Sequence, residues 1–179
     1  MIKDKSILIN NIYHMLAYAF QILNQKNYED VAVESFDEMY DLLAAILAKG
    51  IGMQLKQGLY REYINHQEEL SVMRGKINLS GTIKNRLMHE RVLTCAFDEL
   101  SENNLYNQIL KTTVMLLLKN AKVKIEYKND LKKKMLFFSN VDLLKPTFIK
   151  WSAIRFQRNN QTYRMLIRIC QLIMEGMLM

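Results

Sequence analysis

Only two cysteines, Cys95 and Cys170, and three histidines, His14, His66 and His89, occur among the 179 residues. The cysteines lie far apart in apolar surroundings, form no CxxC pair and have no histidine at ligand spacing. That argues against a disulfide framework and a zinc site, and the pair reads as buried thiols in a reducing compartment. The histidines are isolated, and His14, beside an apolar helical stripe, reads as a packed or surface residue. No apolar run approaches the roughly 20 residues of a membrane span. The start, "MIKDKSILINN", lacks the long apolar region and small-residue cleavage site of an export signal. A cytoplasmic protein without membrane contact is expected. No GxxxxGK[ST] loop, GxGxxG fingerprint, HExxH helix or GxSxG elbow is present, so no nucleotide-binding route is recognisable.

What remains is the composition of a folded domain, 50% hydrophobic and 24% charged. The charge is uneven: residues 1–70 carry 6 Lys and Arg against 10 Asp and Glu, net −4, and residues 71–179 carry 19 against 8, net +11. Such asymmetry points to nucleic acid or an acidic protein surface as partner, against the plain alternative of a solvated basic face.

Apolar residues at helical spacing predict helices near 11–24, 36–57, 103–119 and 160–177. Asn10 or Asn11 would cap the first, and Ser35 with Glu38 forms a capping box for the second, which runs toward Gly50 or Gly58. In the third, Leu105, Ile109, Val114, Leu117 and Leu118 supply apolar positions, Leu116 is also expected to be buried, and Ser101 is a candidate cap. In the last, which Asn159 or Asn160 begins, the stripe is Tyr163, Leu166, Ile167, Cys170, Ile173 and Met174. Between 59 and 80 the period changes to two, predicting strands with Gly75 at a bulge or turn. "TCAFDEL" is a further strand candidate. From Lys122 to Phe138 the later part reads as helix, exposing Lys128, Lys132, Lys133 and Lys134 and burying Leu131, Met135 and Phe138. The only proline, Pro146, is expected in a loop. The fold class is therefore α+β: mainly helical, with helical parts about 1–58 and 100–179 and a small antiparallel sheet in the middle, about 59–98.

Three stretches could carry chemistry. "RGKINLSGTIKNR", residues 74–86, holds Arg74, Lys76, Lys84 and Arg86 without one acid, donors for phosphate or for a partner's carboxylates. Read as strand and turn, it places Arg74 and Lys76 on one side across Gly75. "FDELSENNLYNQILK" gathers Asp98, Glu99, Glu102, Asn103, Asn104 and Asn107. Paired carboxylates can do acid–base or metal work, but a strand end followed by acids at a helix N-terminus explains them as well. Glu126-Tyr127-Lys128 has the acid-x-Lys spacing of a metal-dependent nuclease. Its flanks read as basic helix, where a buried strand with an upstream Asp is required.

Five segments in order resemble the amino-terminal part of McrC-family proteins, the nuclease subunits of McrBC-type modification-dependent restriction systems. They are "NIYHMLAYAF", "LLAAILAKGI…GLYREY", "EELSVMRGKINLSGTI", "CAFDELSENNLYNQILKTTV" and "YRMLIRICQLIMEG"; "RGKI" and the Phe-Asp, Asn107 and Lys111 of the fourth are the most specific. The resemblance implies docking on an McrB-type AAA+ GTPase ring and stimulation of GTP hydrolysis for cleavage of methylated DNA. It implies no catalytic or metal site and no cofactor in this chain: GTP and Mg²⁺ belong to the partner, and Mg²⁺ to a carboxy-terminal PD-(D/E)xK nuclease domain without counterpart before "MEGMLM". Arg74 and Lys76 rank first as partner-binding cations and Arg61 lower. The rival reading is a DNA-binding module using the basic 122–168 region, with Lys128, Lys132, Lys133 and Lys134 and the Arg155–Arg168 cluster on phosphates.

Overall fold

The computed structural model describes Ala19, residues 39–156 and residues 160–178. The helix expected over 11–24 lies outside the described residues except for Ala19, which is helical and buried, and the capping box of Ser35 and Glu38 lies outside them too. In chain order the described elements are α1 (Met39–Gln57), β1 (Glu62–Leu70), β2 (Lys76–Ile77), α2 (Leu79–Leu87), β3 (Leu93–Ser101), α3 (Leu105–Lys119), α4 (Ile125–Met135) and α5 (Gln161–Leu178). Single 3-10 turns occur at Leu136–Phe138, Pro146–Phe148 and Trp151–Ala153, so Pro146 opens a turn. The α+β expectation holds, and the chain divides into two compact units, residues 1–59 with 105–179 and residues 60–104.

The first unit is helical. Leu43 to Ala48 of α1 are all buried, as befits a helix apolar around most of its girth. At Gly50 a Cβ would stand 2.6 Å from Leu166 Cδ2 of α5, so glycine permits close helix packing there. α1 runs on to Gln57, and Gly58 (φ 89°) follows it in the left-handed conformation usual after a helix. The whole predicted stripe of α5 is buried, together with Ile109, Leu110, Val114 and Leu117 of α3. Leu116 is only half-buried: one residue is about 100° of helix, and Leu117 holds the core position.

Polar contacts fix the unit's loops. Lys124 begins α4 without a side-chain cap of its own; instead its N–H donates to Asp41 Oδ1 of α1 at 2.8 Å, a carboxylate at a helix N-terminus. Lys111 Nζ donates to the carbonyls of Phe138 (2.9 Å) and Val141 (2.5 Å), and Leu144 N–H donates to Thr112 Oγ1 (3.1 Å). The Tyr163 hydroxyl donates to Asn107 Oδ1 at 2.7 Å inside the core.

The second unit is a three-stranded antiparallel sheet in the order β1-β3-β2, with α2 between β2 and β3 in sequence. β1 and β3 pair from Glu62↔Ser101 to Leu70↔Leu93, whereas β2 pairs with β3 only at Lys76↔Ala96 and Ile77↔Cys95. β3 thus reaches Ser101, past the expected limit of 98. Ser101 Oγ accepts from Asn103 N–H at 3.0 Å and caps a turn two residues ahead of α3, which begins at Leu105 rather than 103.

Two outcomes are expected. Leu117→Ala should lower unfolding free energy by about 2–5 kcal/mol in urea titrations, and Leu116→Ala by clearly less. Burial pushes the Cys170 thiol up to about 12, so at pH 8 it stays protonated and covered. Iodoacetamide should label Cys170 only after denaturant is added, as read by mass spectrometry of the peptides.

Candidate partner-binding site

The largest departure from the sequence reading is at 79–87, expected as strand and turn and found as helix α2. Asn78 causes the switch. Its N–H donates to Thr94 O at 2.7 Å, the last bond along that side of β3, and its side chain accepts from Gly81 N–H at 3.2 Å, capping the helix. α2 is then tied to β3 by polar residues. Thr94 N–H donates to Thr82 Oγ1 at 3.0 Å, and the buried Asn85 donates through Nδ2 to Thr94 Oγ1 at 3.1 Å. Gly81 permits the approach, since a Cβ there would lie 2.5 Å from Thr94 Oγ1.

Because the polar side is turned inward, the apolar side faces water. Leu79, Ile83 and Leu87, four residues apart, are 71%, 59% and 77% exposed, and Met88 beside them 63%. An ordinary amphipathic helix buries such a stripe, and a contiguous exposed one marks an interaction surface. α2 contains no acid, and its two cations, Lys84 and Arg86, are exposed. Spacing could have revealed this helix, because Leu79, Ile83 and Leu87 fit a period of 3.6 behind an asparagine cap. The alternation of Ile77 and Leu79 masked it.

The two first-ranked cations meet at the turn before β2. Arg74 and Lys76 line a cleft of about 390 Å³ with Asn65, Phe97 and Asp98. Only Lys76 lies in the strand; Arg74 precedes it. Between them Gly75 has φ 69°, and a Cβ there would stand 2.5 Å from Ala96 O, so the turn demands glycine. The Arg74 guanidinium lies 3.9 Å over the Phe97 ring, with Nη2 3.6 Å from Glu99. Both charges of that pair are about half exposed, so the contact orients Arg74 more than it stabilises the fold.

Other candidates are placed elsewhere. Arg61 donates through Nε (3.0 Å) and Nη2 (2.6 Å) to Glu102 at the far end of the sheet. Counted along β3, that is five residues from Phe97, roughly 16 Å away. Glu102 is thereby engaged with Arg61, Glu99 faces Arg74, Asp98 accepts from Asn65 at 3.0 Å, and Asn104 donates to Tyr60 O at 2.8 Å. The "FDELSENN" residues thus serve structure, and no group of three His, Cys, Asp or Glu among the described residues could hold a metal ion. Burial raises the Tyr60 phenol above its usual range, and the charge of Glu62 adds to this.

Glu126 and Lys128 lie in the first turns of α4, a helix and not the strand a nuclease core needs. Of the four lysines named for nucleic acid, Lys132 and Lys133 are exposed, but Lys128 is half-buried. Lys134 pairs with Asp130 one turn earlier, and its side chain is only 17% exposed. Met135 is likewise half-buried rather than buried. No helix among the described residues is long and apolar enough to cross a membrane.

Comparison with known proteins agrees with the ordered segments read from sequence. Over 170 residues, 95% of its length, the chain is 25% identical to the type IV methyl-directed restriction enzyme EcoKMcrBC of Escherichia coli (strain K12), of which it covers 49%. The chain therefore spans about half the length of that curated relative. Its fold is similar to a chain in the cryo-EM structure of the Thermococcus gammatolerans McrBC complex, with a TM-score of 0.69 at 21% identity. That match covers 89% of this chain and 49% of the other. A second similar chain comes from the half-complex of the tetradecameric assembly of Thermococcus gammatolerans McrB AAA+ hexamers with bound McrC. It has a TM-score of 0.67 at 20% identity, covering 83% and 36% of the two chains. The family model described as McrBC 5-methylcytosine restriction system component matches residues 3–179, and the chain belongs to that family.

Proposed function

We propose that this chain is the docking part of an McrC-like subunit, which binds an McrB-type AAA+ GTPase ring through residues 60–104 and raises its GTP turnover without itself cutting DNA. The observation that carries this reading is the outward apolar stripe of α2, an anchor pattern of the kind that seats in a partner's groove. The bound McrC of the Thermococcus gammatolerans hexamers supports a ring as partner. GTP and Mg²⁺ sit on that partner, the methylated DNA is reached directly or through it, and the complex works in the cytoplasm.

Docking and stimulation are carried by different groups. Leu79, Ile83 and Leu87 supply buried area. Arg74 and Lys76 supply charge at the cleft, where a cation offered in trans can stabilise the transition state of nucleotide hydrolysis. The catalytic carboxylates of cleavage have no counterpart among the acids at 98–102, which are engaged in structural contacts.

The test mixes the purified chain with its cognate McrB-type GTPase and reads GTP turnover and complex size. Turnover should rise. Ile83→Gln with Leu87→Gln should abolish association while changing the stability of the fold by less than about 1 kcal/mol, because both side chains are already mostly in water and glutamine is a good helix former. Arg74→Ala with Lys76→Ala should preserve the complex and lose most of the stimulation. A complex with basal turnover would reject activation and leave docking; failure of the unmutated chain to associate would reject both.

A further inference from the structure

Residues 119–155 hold ten Lys and Arg against three Asp and Glu, net +7, which equals the net charge of the whole chain. The three acids leave a clear excess of positive charge. Asp130 is engaged with Lys134, and Glu126 lies in the first turn of α4, where the helix dipole favours it. Asp142 comes after the basic helix. Lys132 and Lys133 are exposed, and among the described residues nothing pairs with them. A cation at the C-terminal turn of a helix is favoured by the dipole, so lysines there need no ligand to explain them. The apolar residues beside them do. Leu136 and Phe137, in the turn that continues α4, are 78% and 61% exposed. Phe137 follows Lys133 by four residues, across the junction of α4 with its 3-10 turn.

A Lys–Phe pair stands nearby in sequence. Lys145 Nζ lies 5.8 Å from the centre of the Phe148 ring, which is 74% exposed. The segment between Phe137 and this pair is not free to rearrange, because Lys111 and Thr112 hold Phe138, Val141 and Leu144 to α3. Two exposed phenyl rings, that of Phe148 with an ammonium group beside it and that of Phe137 at the end of a lysine-rich helix, are therefore presented on a fixed frame of the helical unit. Three chemistries could meet such a surface. An acidic protein offers carboxylates, but flat faces beside them only where it exposes aromatic or guanidinium groups of its own. A duplex offers phosphates but hides the faces of its bases. A single strand offers both, and base stacking on exposed aromatics beside cations is how such strands are held without regard to sequence.

We propose that Lys132, Lys133 and Phe137, with Lys145 and Phe148, supply the contacts of a site for single-stranded nucleic acid. It is separate from the docking reading and uses none of its residues. The rings take bases, and the lysines take the phosphates on either side.

Fluorescence anisotropy with a labelled oligo(dT) of roughly 20 nucleotides and its duplex of equal length tests this on the whole chain over a salt series. The single strand should bind about tenfold more tightly than the duplex, and Phe137→Ala should remove most of that difference. Lys132→Gln with Lys133→Gln should lower the slope of log affinity against log salt by about 1.4, near 0.7 for each lost phosphate contact. All substituted side chains are exposed, and circular dichroism confirms that the variants fold. Three results would overturn the proposal: equal binding of duplex and single strand with no effect of Phe137→Ala, displacement by polyglutamate as effective as by unlabelled oligo(dT), or no binding at low salt.

Discussion

The buried hydrogen bond from Asn85 to Thr94 decides how the small unit meets its surroundings. With Thr82, which accepts from Thr94 N–H, it fixes the rotation of α2 about its own axis. Any rotation that buried Leu79, Ile83 and Leu87 against β3 would carry Asn85 into water and leave the Thr94 groups unpaired, at about 1–3 kcal/mol for each buried polar group. The surface beneath α2 is the hydroxyl and methyl of Thr94 at close range, so it has no room for three large side chains either. Leaving those three in water forgoes about 1.5–3 kcal/mol each. A helix held in this orientation by polar bonds keeps that burial in reserve for association.

How far the sequence foretold this depends on whether the determinant is local. α5 was legible residue by residue, because a helix that buries one stripe writes a 3.6-residue period into its sequence. The β unit was legible as a change of period, and Gly75 as its turn. α2 was legible only in part: its Asn78 cap and four-residue spacing are local signals, but it is only nine residues long and contains Gly81 and Thr82, both poor helix formers. What makes it a helix is Asn78, which bonds to Thr94 sixteen residues later, and what orients it is Asn85 on the same threonine. The cap of α4 is equally distant: Asp41 and Lys124 are 83 residues apart. Lys134 is the opposite case. Its Asp130 partner stands at i,i+4, a spacing that the sequence displays and that removes it from the solvent-facing set.

The candidate site was legible in its residues but not in its geometry. "RGKI" named Arg74 and Lys76, and both line one cleft. Arg61, ranked lower among the cations, is sent by antiparallel register to the other end of the sheet against Glu102. Nor could the sequence show that Arg74 faces Glu99 and the Phe97 ring, because those contacts cross from the turn before β2 to β3.

The charge asymmetry also takes a different meaning once the units are known. The small unit has 6 Lys and Arg against 7 Asp and Glu, so the basic run at 74–86 is balanced by the acids of β1 and β3. The excess belongs to the helical unit, within 119–155. An apolar stripe on a nearly neutral unit and lysines beside exposed rings on a basic one must respond oppositely to salt. Apolar association is little screened and is strengthened by excluded salts such as sulfate. Phosphate contacts weaken as released counterions must enter a more concentrated solution. Ionic strength therefore separates the two proposed surfaces without any mutation: in concentrated sulfate an apolar docking face would remain competent while a phosphate-binding face would fall silent.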